Sequence, residues 1–383
     1  MTLQAFKGTR IFTAERFVDG HALLIKDGAI VGLVPDAAIP AAAQMTQLAG
    51  GMLVPGFIDA QVNGGGGVLF NATPDAASLA QLALAHARYG TTAMLPTFIT
   101  DEAGGMRAAV GAVREAIANS VPGIAGIHLE GPFLAKSRKG AHDPDLIRTL
   151  TDADADMLVS SGLRTVLLTL APETVTPELI AKLAAGGVVV SLGHTDATYE
   201  VAMAAADAGA RGITHLFNAM SPLAHRSPGV VGAALNHGSL WCGIIADGHH
   251  VHPAALASAL RAKRGPARLF LVTDAMPTAG HPQDRFYLNN RLVTRQNGLL
   301  TLDDGTLAGS DLTMDAALRF AVGKLDVGLE EALRMASLYP AMFLGLDAAY
   351  GRIAPGYRAD LVHLSQALAV QDVWIGGDRI GRG

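Results

Sequence analysis

The sequence predicts an α/β fold, a (β/α)8 TIM-like barrel with a small β-sandwich domain formed by both chain ends. Eight short apolar segments alternate with alanine-rich segments through the middle of the 383-residue chain. Strands that alternate with helices form parallel sheets, and eight such strands favour a closed barrel. Several apolar segments end at a polar residue, where a barrel of this kind carries its active site. Both chain ends instead show the turn signals of β-hairpins.

The predicted small domain is discontinuous in sequence. Asp27-Gly28 is a dipeptide typical of hairpin turns, and it separates two alternating apolar segments. Segments of the same character lie near both chain ends, at 22–25, 29–34, 359–364 and 373–377. We predict that residues 1–53 and 353–383 pair into one small β domain, and that residues 54–352 form a catalytic barrel.

The predicted barrel elements follow from length and periodicity. The strands are short apolar runs bounded by polar or turn residues: 56–59, 93–97, 124–130, 165–170, 188–194, 213–215, 243–247 and 269–274. The helices have apolar positions three and four residues apart, as one buried face requires: 75–89, 105–118, 176–185, 199–208 and 253–262. Residues 285–302 are a further hairpin candidate with Asn289-Asn290 as its turn.

Composition excludes several classes of protein. The chain is 50% hydrophobic and 16% charged, so it has ample material for a large core and is not a disordered polymer. Its net charge of -5, without a cluster of basic residues, argues against nucleic-acid and anionic-membrane partners. The single cysteine, Cys242, cannot form an intramolecular disulfide and is expected to be a buried apolar residue. No signal peptide or long apolar span is evident, so a cytoplasmic protein is expected.

Polar residues at four predicted strand ends indicate a catalytic metal site. Glu130, His194 and His215 would offer one carboxylate and two imidazoles, which suit a divalent ion that keeps an open position for water. Such an ion lowers the pKa of its water from about 16 to about 7. Asp274 ends the last strand, and a carboxylate beside this water can accept its proton and return it to a leaving group.

Each of these residues also has an ordinary explanation. A single Glu or His at a strand end more often orders a loop or contacts solvent, so the prediction depends on the combination of four. The run from Gly64 to Gly67 is interpreted as a tight turn, because it lacks the Gly-Lys-Ser/Thr ending of a phosphate loop. His128 is expected behind the metal ligands or near a substrate.

The sequence resembles the amidohydrolase superfamily, and within it the enzymes that deacetylate amino-sugar 6-phosphates. The resemblance spans essentially the whole chain, and two segments, Glu-Gly-Pro-Phe at 130–133 and Leu-Phe-Asn-Ala-Met at 216–220, are highly specific. Further matching segments are 55–59, 139–142, 192–194, 245–248, 273–275 and 351–361. The superfamily usually has His-x-His after the first strand, but Gln61 and Asn63 occupy those positions. One metal per subunit is therefore predicted, with Zn²⁺ first and Fe²⁺, Co²⁺ or Mn²⁺ as alternatives.

The resemblance implies hydrolysis of N-acetyl-D-glucosamine 6-phosphate to D-glucosamine 6-phosphate and acetate, in amino-sugar catabolism or cell-wall recycling. A water on the metal would attack the acetamido carbonyl, with Asp274 as the proton shuttle. The residues that match the family's substrate contacts are Ala141, His142, Asn218, Ala219, Arg226, Asp247, Gly248, His249, His250, Leu307, Ala308 and Gly309. By the same resemblance, Arg226 reaches the site of a neighbouring subunit, which implies a homodimer.

Two alternatives stay open at this point. One is another amidohydrolase that acts on a different amide or cyclic amide, although such enzymes usually keep the His-x-His pair. The other is a barrel that binds a sugar phosphate without turning it over. Asp274 weighs against the second alternative, because binding alone requires no proton shuttle.

Overall fold

The structure, a computed structural model, describes residues 2–381, so Met1, Arg382 and Gly383 of the predicted end domain lie outside the described residues. Its central element is a parallel sheet of eight strands whose spatial order follows the chain order. The strands are Phe57–Val62, Thr91–Ile99, Ile127–Glu130, Val166–Leu170, Val189–Leu192, Gly212–Ile213, Trp241–Ile245 and Leu269–Val272. All eight predicted strands are confirmed, and Cys242 is buried within the seventh.

The barrel closes between its first and last strands. The backbone of Val62 pairs in parallel with that of Ala275, and Asp274 N donates a hydrogen bond of 2.9 Å to Gln61 O. The strands are buried along nearly their whole length, as expected for a sheet covered by helices on one side and filled by side chains on the other. This closure places Asp274 next to the last residues of the first strand.

Ten helices occur within residues 2–381. They are Ala76–Ala87, Ala103–Ala118, Asp152–Val159, Pro177–Ala185, Tyr199–Asp207, Gly229–Asn236, Pro253–Ala262, Met314–Lys324, Leu329–Ala336 and Leu338–Leu344. Five agree with the predicted helices to within about two residues, and Asp75, Thr176 and Thr198 cap three of these through their side chains. Among the described residues, none of the helices combines the length and apolar character that a membrane crossing requires.

The two chain ends form two sheets that pack on each other. The first contains Gln4–Lys7, His21–Lys26, Ala29–Pro35 and Gln44–Gln47, and the second contains Arg10–Phe12, Phe17–Val18, Met52–Pro55, Leu361–Leu364, Val370–Ile375 and Asp378–Arg379. Leu361–Leu364 pairs antiparallel with Met52–Pro55, which joins the two ends of the chain. Phe6 and Trp374 meet in the shared core with ring centroids 5.0 Å apart. The predicted fold is therefore confirmed, while the boundaries at 53/54 and 352/353 stay a prediction.

The segment after the last barrel strand lies over the barrel mouth. It forms the predicted hairpin, Arg285–Leu288 with Arg291–Gln296, and adds a third strand, Leu299–Leu302. Asn289 and Asn290 have φ values of 48° and 60°, as a type I′ turn requires. Leu288, Val293 and Leu300 pack with Ile99 and Met276 of the barrel, so the sheet forms one wall above the strand ends.

Candidate active site

A cavity of about 330 Å³ opens at the carboxyl ends of the barrel strands, below the three-stranded sheet. Glu130, His194, His215 and Asp274 all line it. Each of the four is at most 9% exposed. The structure therefore brings together the four residues that the sequence singled out, at the position where barrels carry their active sites.

Three of these four residues have an uncommon backbone conformation at the ends of their strands. His194, His215 and Asp274 have φ values of 47°, 31° and 54°. A positive φ is uncommon for residues other than glycine and persists only where the surroundings enforce it, which happens most often at functional sites. At each position the strand has just ended, and the left-handed residue directs its side chain into the barrel mouth.

The possible metal ligands converge on one point. Glu130 Oε1 lies 3.1 Å from His194 Nε2 and 3.0 Å from His215 Nε2, and the two Nε2 atoms are 3.1 Å apart. In the described part of the chain, Glu130, His194 and His215 form a group of possible ligands whose atoms lie within 4.8 Å of one another, close enough to bind one metal ion.

The hydrogen-bonding of His194 supports a cation at this point. Its Nδ1 lies 2.8 Å from Arg138 O, and because a carbonyl only accepts hydrogen bonds, Nδ1 carries the proton. In a neutral ring, Nε2 then presents a lone pair to a carboxylate oxygen, which can also only accept. One divalent ion between Glu130, His194 and His215 satisfies these facing acceptors at once, and the donor set is that of a catalytic zinc site. The residues present therefore fit a metal.

Burial and neighbouring charges shift the pKa values of Glu130 and Asp274 in opposite directions. Burial alone would raise the pKa of Glu130, but in the absence of a metal the hydrogen bonds and positive charge of protonated His194 and His215 rings outweigh burial and hold the pKa well below its usual range. Burial, followed by the charge of Glu130, raises the pKa of Asp274 to about 6. Glu130 is thus a permanent carboxylate, whereas Asp274 is suited to take up and release a proton near neutral pH.

Gln61 and Asn63 occupy the space next to Asp274 with amide groups. Gln61 Nε2 lies 3.1 Å from Glu130 Oε1 and 3.1 Å from Asp274 Oδ1, and Asn63 Nδ2 lies 2.6 Å from Asp274 Oδ1. These amide nitrogens donate hydrogen bonds to both carboxylates and so stabilise their negative charges. The number of metals per subunit stays a prediction.

The residues that match the family's substrate contacts divide into two groups. Those that line the cavity are Ala141, His142, Asn218, Ala219, His250, Leu307 and Gly309. Those that lie outside its lining are Arg226, Asp247, Gly248, His249 and Ala308. The first group comes from four loops around the barrel mouth, so the cavity can surround a small substrate.

Asp247 acts on the cavity through His250. Its Oδ2 lies 2.6 Å from His250 Nδ1, and its Oδ1 accepts hydrogen bonds from the backbone N–H groups of His249 and His250. Gly248 has a φ of 77°, a conformation that glycine adopts without strain. Asp247 and Gly248 therefore shape the turn that presents His250 to the cavity.

Arg226 lies in an exposed loop and contributes nothing to the cavity of its own chain. Leu223, in the same loop, is 56% exposed. A contact of Arg226 with a neighbouring subunit stays a prediction.

Several cavity residues carry no clear signal in the sequence. Ile99, Met276 and Leu288 are apolar and look like ordinary core residues until the sheet above the mouth is in place. His128, by contrast, does not line the cavity: its two ring nitrogens lie 3.1 Å from Thr97 Oγ1 and 2.8 Å from Thr169 Oγ1, deeper in the barrel. Of the two places expected for His128, the structure agrees with the one behind the metal ligands and not with the one near a substrate.

Two family models match the chain. The amidohydrolase family matches residues 52–380, and the NagA composite domain matches residues 4–53. The chain is 44% identical over 373 residues to the N-acetylgalactosamine-6-phosphate deacetylase of Shewanella sp. strain ANA-3, which covers 97% of this chain and 94% of that relative.

Solved structures agree with these matches. The N-acetylglucosamine-6-phosphate deacetylase of Pasteurella multocida has a TM-score of 0.95 at 35% identity and covers 98% of this chain and 99% of its own. A mutant of the Mycobacterium smegmatis N-acetyl-D-glucosamine-6-phosphate deacetylase, in complex with N-acetyl-D-glucosamine-6-phosphate, has a TM-score of 0.91 at 32% identity and covers 99% and 100%. By sequence, fold and site, the chain belongs to the amidohydrolase family.

Proposed function

We propose that this protein is a metal-dependent deacetylase that hydrolyses the acetamido group of an N-acetylated amino-sugar 6-phosphate, releasing acetate and the free amine. The observation that carries the proposal is the convergence of Glu130, His194 and His215 opposite Asp274 in one cavity. The relatives supply the substrate class, because they carry the names of such deacetylases at 32–44% identity over nearly the whole chain.

The protein's own residues perform the binding and the proton transfer. A divalent ion at Glu130, His194 and His215 supplies Lewis acidity, which lowers the pKa of water and polarises a carbonyl. Asp274 accepts the proton of the attacking water and delivers it to the departing amine nitrogen. Gln61 and Asn63 hold the Asp274 carboxylate through donated hydrogen bonds, so its oxygen stays in one position between the two transfers.

His142 is the side chain suited to orient the acetamido group. Its Nδ1 lies 2.7 Å from Thr100 Oγ1, and its ring packs edge-on against His194 at 4.4 Å between centroids. Burial, with the nearby His194, holds the pKa of His142 well below its usual range, so the ring is neutral. Its Nε2 is the ring nitrogen directed away from Thr100, and it contacts the substrate beside the metal ligands.

The phosphate would be bound by Asn218, Ala219 and His250 together with Arg226 of a second subunit. The arginine that lines the cavity from its own chain, Arg138, has its guanidinium bound to Asp196 at 2.8 Å. A guanidinium from outside would complete the site, since arginine binds phosphate in a bidentate manner. We therefore include a homodimer in the proposal.

Subunit mixing tests the role of Arg226 across the dimer. Arg226→Ala and Asp274→Asn each inactivate every site in their own dimers. In a mixed dimer, the Arg226→Ala subunit keeps its Asp274 and receives Arg226 from the other subunit, so one site is intact. Statistical mixing in a two-fold dimer then restores about one quarter of the wild-type activity. No recovery after confirmed subunit exchange would contradict an arginine supplied by the second subunit.

The identity of the hexosamine has two candidates. N-acetyl-D-glucosamine 6-phosphate follows from the sequence and from the names of both neighbouring structures, whereas the Shewanella relative is named for N-acetylgalactosamine 6-phosphate. These sugars differ only in the configuration at C4, and the acetamido group and phosphate that the proposed residues contact are common to both. The proposal takes the glucosamine form as the first substrate and the galactosamine form as the second.

Acetate release from four sugars tests the proposal: both epimers, each with and without the 6-phosphate, on protein reconstituted with Zn²⁺. We expect turnover of a phosphorylated epimer and a much lower kcat/KM for its unphosphorylated form. Equal turnover without the phosphate would remove Asn218, Ala219, His250 and Arg226 from their proposed roles. Absence of acetate from all four sugars would overturn the proposed function.

Zn²⁺ is the proposed metal, since two imidazoles and one carboxylate suit it, and Fe²⁺, Co²⁺ and Mn²⁺ are the alternatives for the same ligands. The proposed place of action is the cytoplasm, because a sugar phosphate carries charge that prevents it from crossing a membrane unaided. Metal content of the purified protein and fractionation of cells test these two points separately.

A further inference from the structure

The loop after the third barrel strand, residues 131–143, contacts the metal ligand His194 at several points. Ala135 N donates a hydrogen bond of 2.9 Å to His194 O, and His194 Nδ1 donates one of 2.8 Å to Arg138 O. Gly140 passes so close that a Cβ atom there would lie 3.2 Å from His194 Cε1. The His142 ring packs against the His194 ring. The loop thus encloses one side of this imidazole.

A side-chain ion pair ties the same loop to the strand end that carries His194. Arg138 Nε and Nη2 lie 3.0 Å and 2.8 Å from Asp196 Oδ1. Asp196 is two residues after His194, and its backbone N–H donates a hydrogen bond of 2.6 Å to Glu173 Oε1. The contacts close a ring in which Arg138 binds His194 through its carbonyl and Asp196 through its guanidinium.

We propose that Arg138 and Asp196 are positioning residues that clamp loop 131–143 over His194, so that one device orients a metal ligand and shapes the substrate cavity. Ser137, Gly140, Ala141 and His142 of this loop line the cavity beside the metal ligands. When the clamp is broken, the Arg138 carbonyl loses its fixed place opposite Nδ1, and the loop that surrounds the substrate loses its anchor. The clamp rests on the metal site of the proposed function.

A merely structural role for this pair would show in the stability of the fold. The side chains of Arg138 and Asp196 are 35% and 48% exposed, and ion pairs at such positions contribute about 1 kcal/mol or less to folding. The clamp instead acts on the metal, because hydrogen-bond partners of ligating histidines typically change metal affinity by about 10- to 100-fold. Metal affinity and the stability of the metal-free fold are therefore separate readouts.

The experiment compares Arg138→Ala, Asp196→Ala and the double variant with wild type. For each protein, the Zn²⁺ dissociation constant is measured by competition with a chromogenic chelator, and the Tm is measured on the metal-free form. We expect each single variant to bind Zn²⁺ roughly 10-fold more weakly, at the low end of the range for such partners, because the carbonyl itself remains. The double variant should bind no more weakly than either single variant, because both remove the same contact.

Asp156→Ala is the matched control. Asp156 forms an exposed ion pair with Lys182, at 2.7 Å, on a helix away from the cavity, so its loss should leave Zn²⁺ affinity unchanged. A second readout is trypsin cleavage at Lys136 and Lys139, which lie within the loop: Zn²⁺ should slow cleavage in wild type and in Asp156→Ala but not in Asp196→Ala.

Wild-type Zn²⁺ affinity in both single variants would overturn the clamp. Additive losses in the double variant would also overturn it, because independent contributions exclude a shared contact. Failure of wild type itself to bind Zn²⁺ would instead refute the metal site of the proposed function, so the two failures are distinguishable. If the Arg138 and Asp196 variants lose both Zn²⁺ affinity and metal-free Tm relative to wild type and to Asp156→Ala, the pair serves general stability. That result would contradict a positioning role.

Discussion

Two buried polar clusters lie one above the other inside the barrel, and they differ in how their hydrogen-bonding groups are matched. The mouth cluster consists of Glu130, His194, His215 and Asp274, and the interior chain consists of Thr97, His128, Thr169, Thr214 and Ser191. In the interior chain the successive contacts measure 3.1, 2.8, 2.7 and 2.7 Å, and every contact joins a group that can donate to one that can accept.

The mouth cluster lacks this complementarity. His194 Nε2 and Glu130 Oε1 are both acceptors once His194 Nδ1 has donated to Arg138 O. His128 and His194 are both buried histidines, yet only the second has a ring nitrogen left for a ligand. Polarity and burial alone therefore do not identify the active site. The convergence of ligand atoms from Glu130, His194 and His215 on one point does, because buried acceptors that face one another are costly unless a cation pairs them.

Glu130→Gln should have the largest effect, because it removes the only charged ligand of the mouth cluster while keeping its shape. We expect Zn²⁺ affinity to fall by more than the roughly 100-fold seen when an outer partner of a ligand is lost, and acetate release to fall with it. Metal content after dialysis measures the first effect. Retention of one tightly bound Zn²⁺ would show that the ion lies elsewhere.

Asp274→Asn separates proton transfer from metal binding within the mouth cluster. Loss of a general acid and base typically costs about 10²- to 10⁴-fold in rate, so kcat should fall by that factor while the metal content stays at one ion per chain. Steady-state acetate release and metal analysis on the same sample give both values. Near-normal kcat would exclude Asp274 as the proton shuttle.

Thr169→Val tests the interior chain. The substitution keeps the shape but leaves His128 Nε2 and Thr214 Oγ1 without the hydroxyl between them, and such buried groups cost about 1–3 kcal/mol when unpaired. We expect the free energy of unfolding to fall by that amount and Zn²⁺ affinity to stay unchanged. The same change at exposed Thr149 should alter stability by less than about 0.5 kcal/mol. Weaker Zn²⁺ binding with a normal free energy of unfolding would show that the interior chain serves metal binding and not the stability of the fold.

In the metal-free protein, a substitution in the mouth cluster should raise the free energy of unfolding, whereas Thr169→Val lowers it. Because burial raises the pKa of Asp274 from 3.8 to about 6, folding disfavours its carboxylate, and stability is lost as pH rises from about 4 to about 6. Metal-free Asp274→Asn lacks this loss and should be more stable than wild type at pH 8, by about 1–3 kcal/mol at 1.4 kcal/mol per pKa unit. At pH 4 the difference should disappear. Urea unfolding at both pH values measures it, and a less stable variant at pH 8 would contradict the sign.

Sequence reasoning reached much of the fold and the mouth cluster because both depend on local signals. Alternating strands and helices have distinct periodicities, and Glu130, His194, His215 and Asp274 stand out at the ends of apolar runs. Gly229–Asn236 was not predicted as a helix, because its residues are almost all buried and no polar face marks the period.

Other features arise only from packing. The positive φ values of His194, His215 and Asp274 depend on the surrounding loops, and the Arg138–Asp196 pair joins residues 58 positions apart in the chain. The interior chain consists of single threonines and serines on different strands, without a motif. Arg226 does not line the cavity of its own subunit, so only the family resemblance indicates a role for it.

Titration of the metal-free protein with Zn²⁺, with acetate release from N-acetyl-D-glucosamine 6-phosphate measured at each step, is the sharpest test of a single catalytic metal at the mouth cluster. Activity should rise in proportion to added metal and stop rising at one ion per chain, since Gln61 and Asn63 occupy the positions at which a second metal would need histidines. Full activity before any metal is added, or a requirement for a second equivalent, would contradict this prediction.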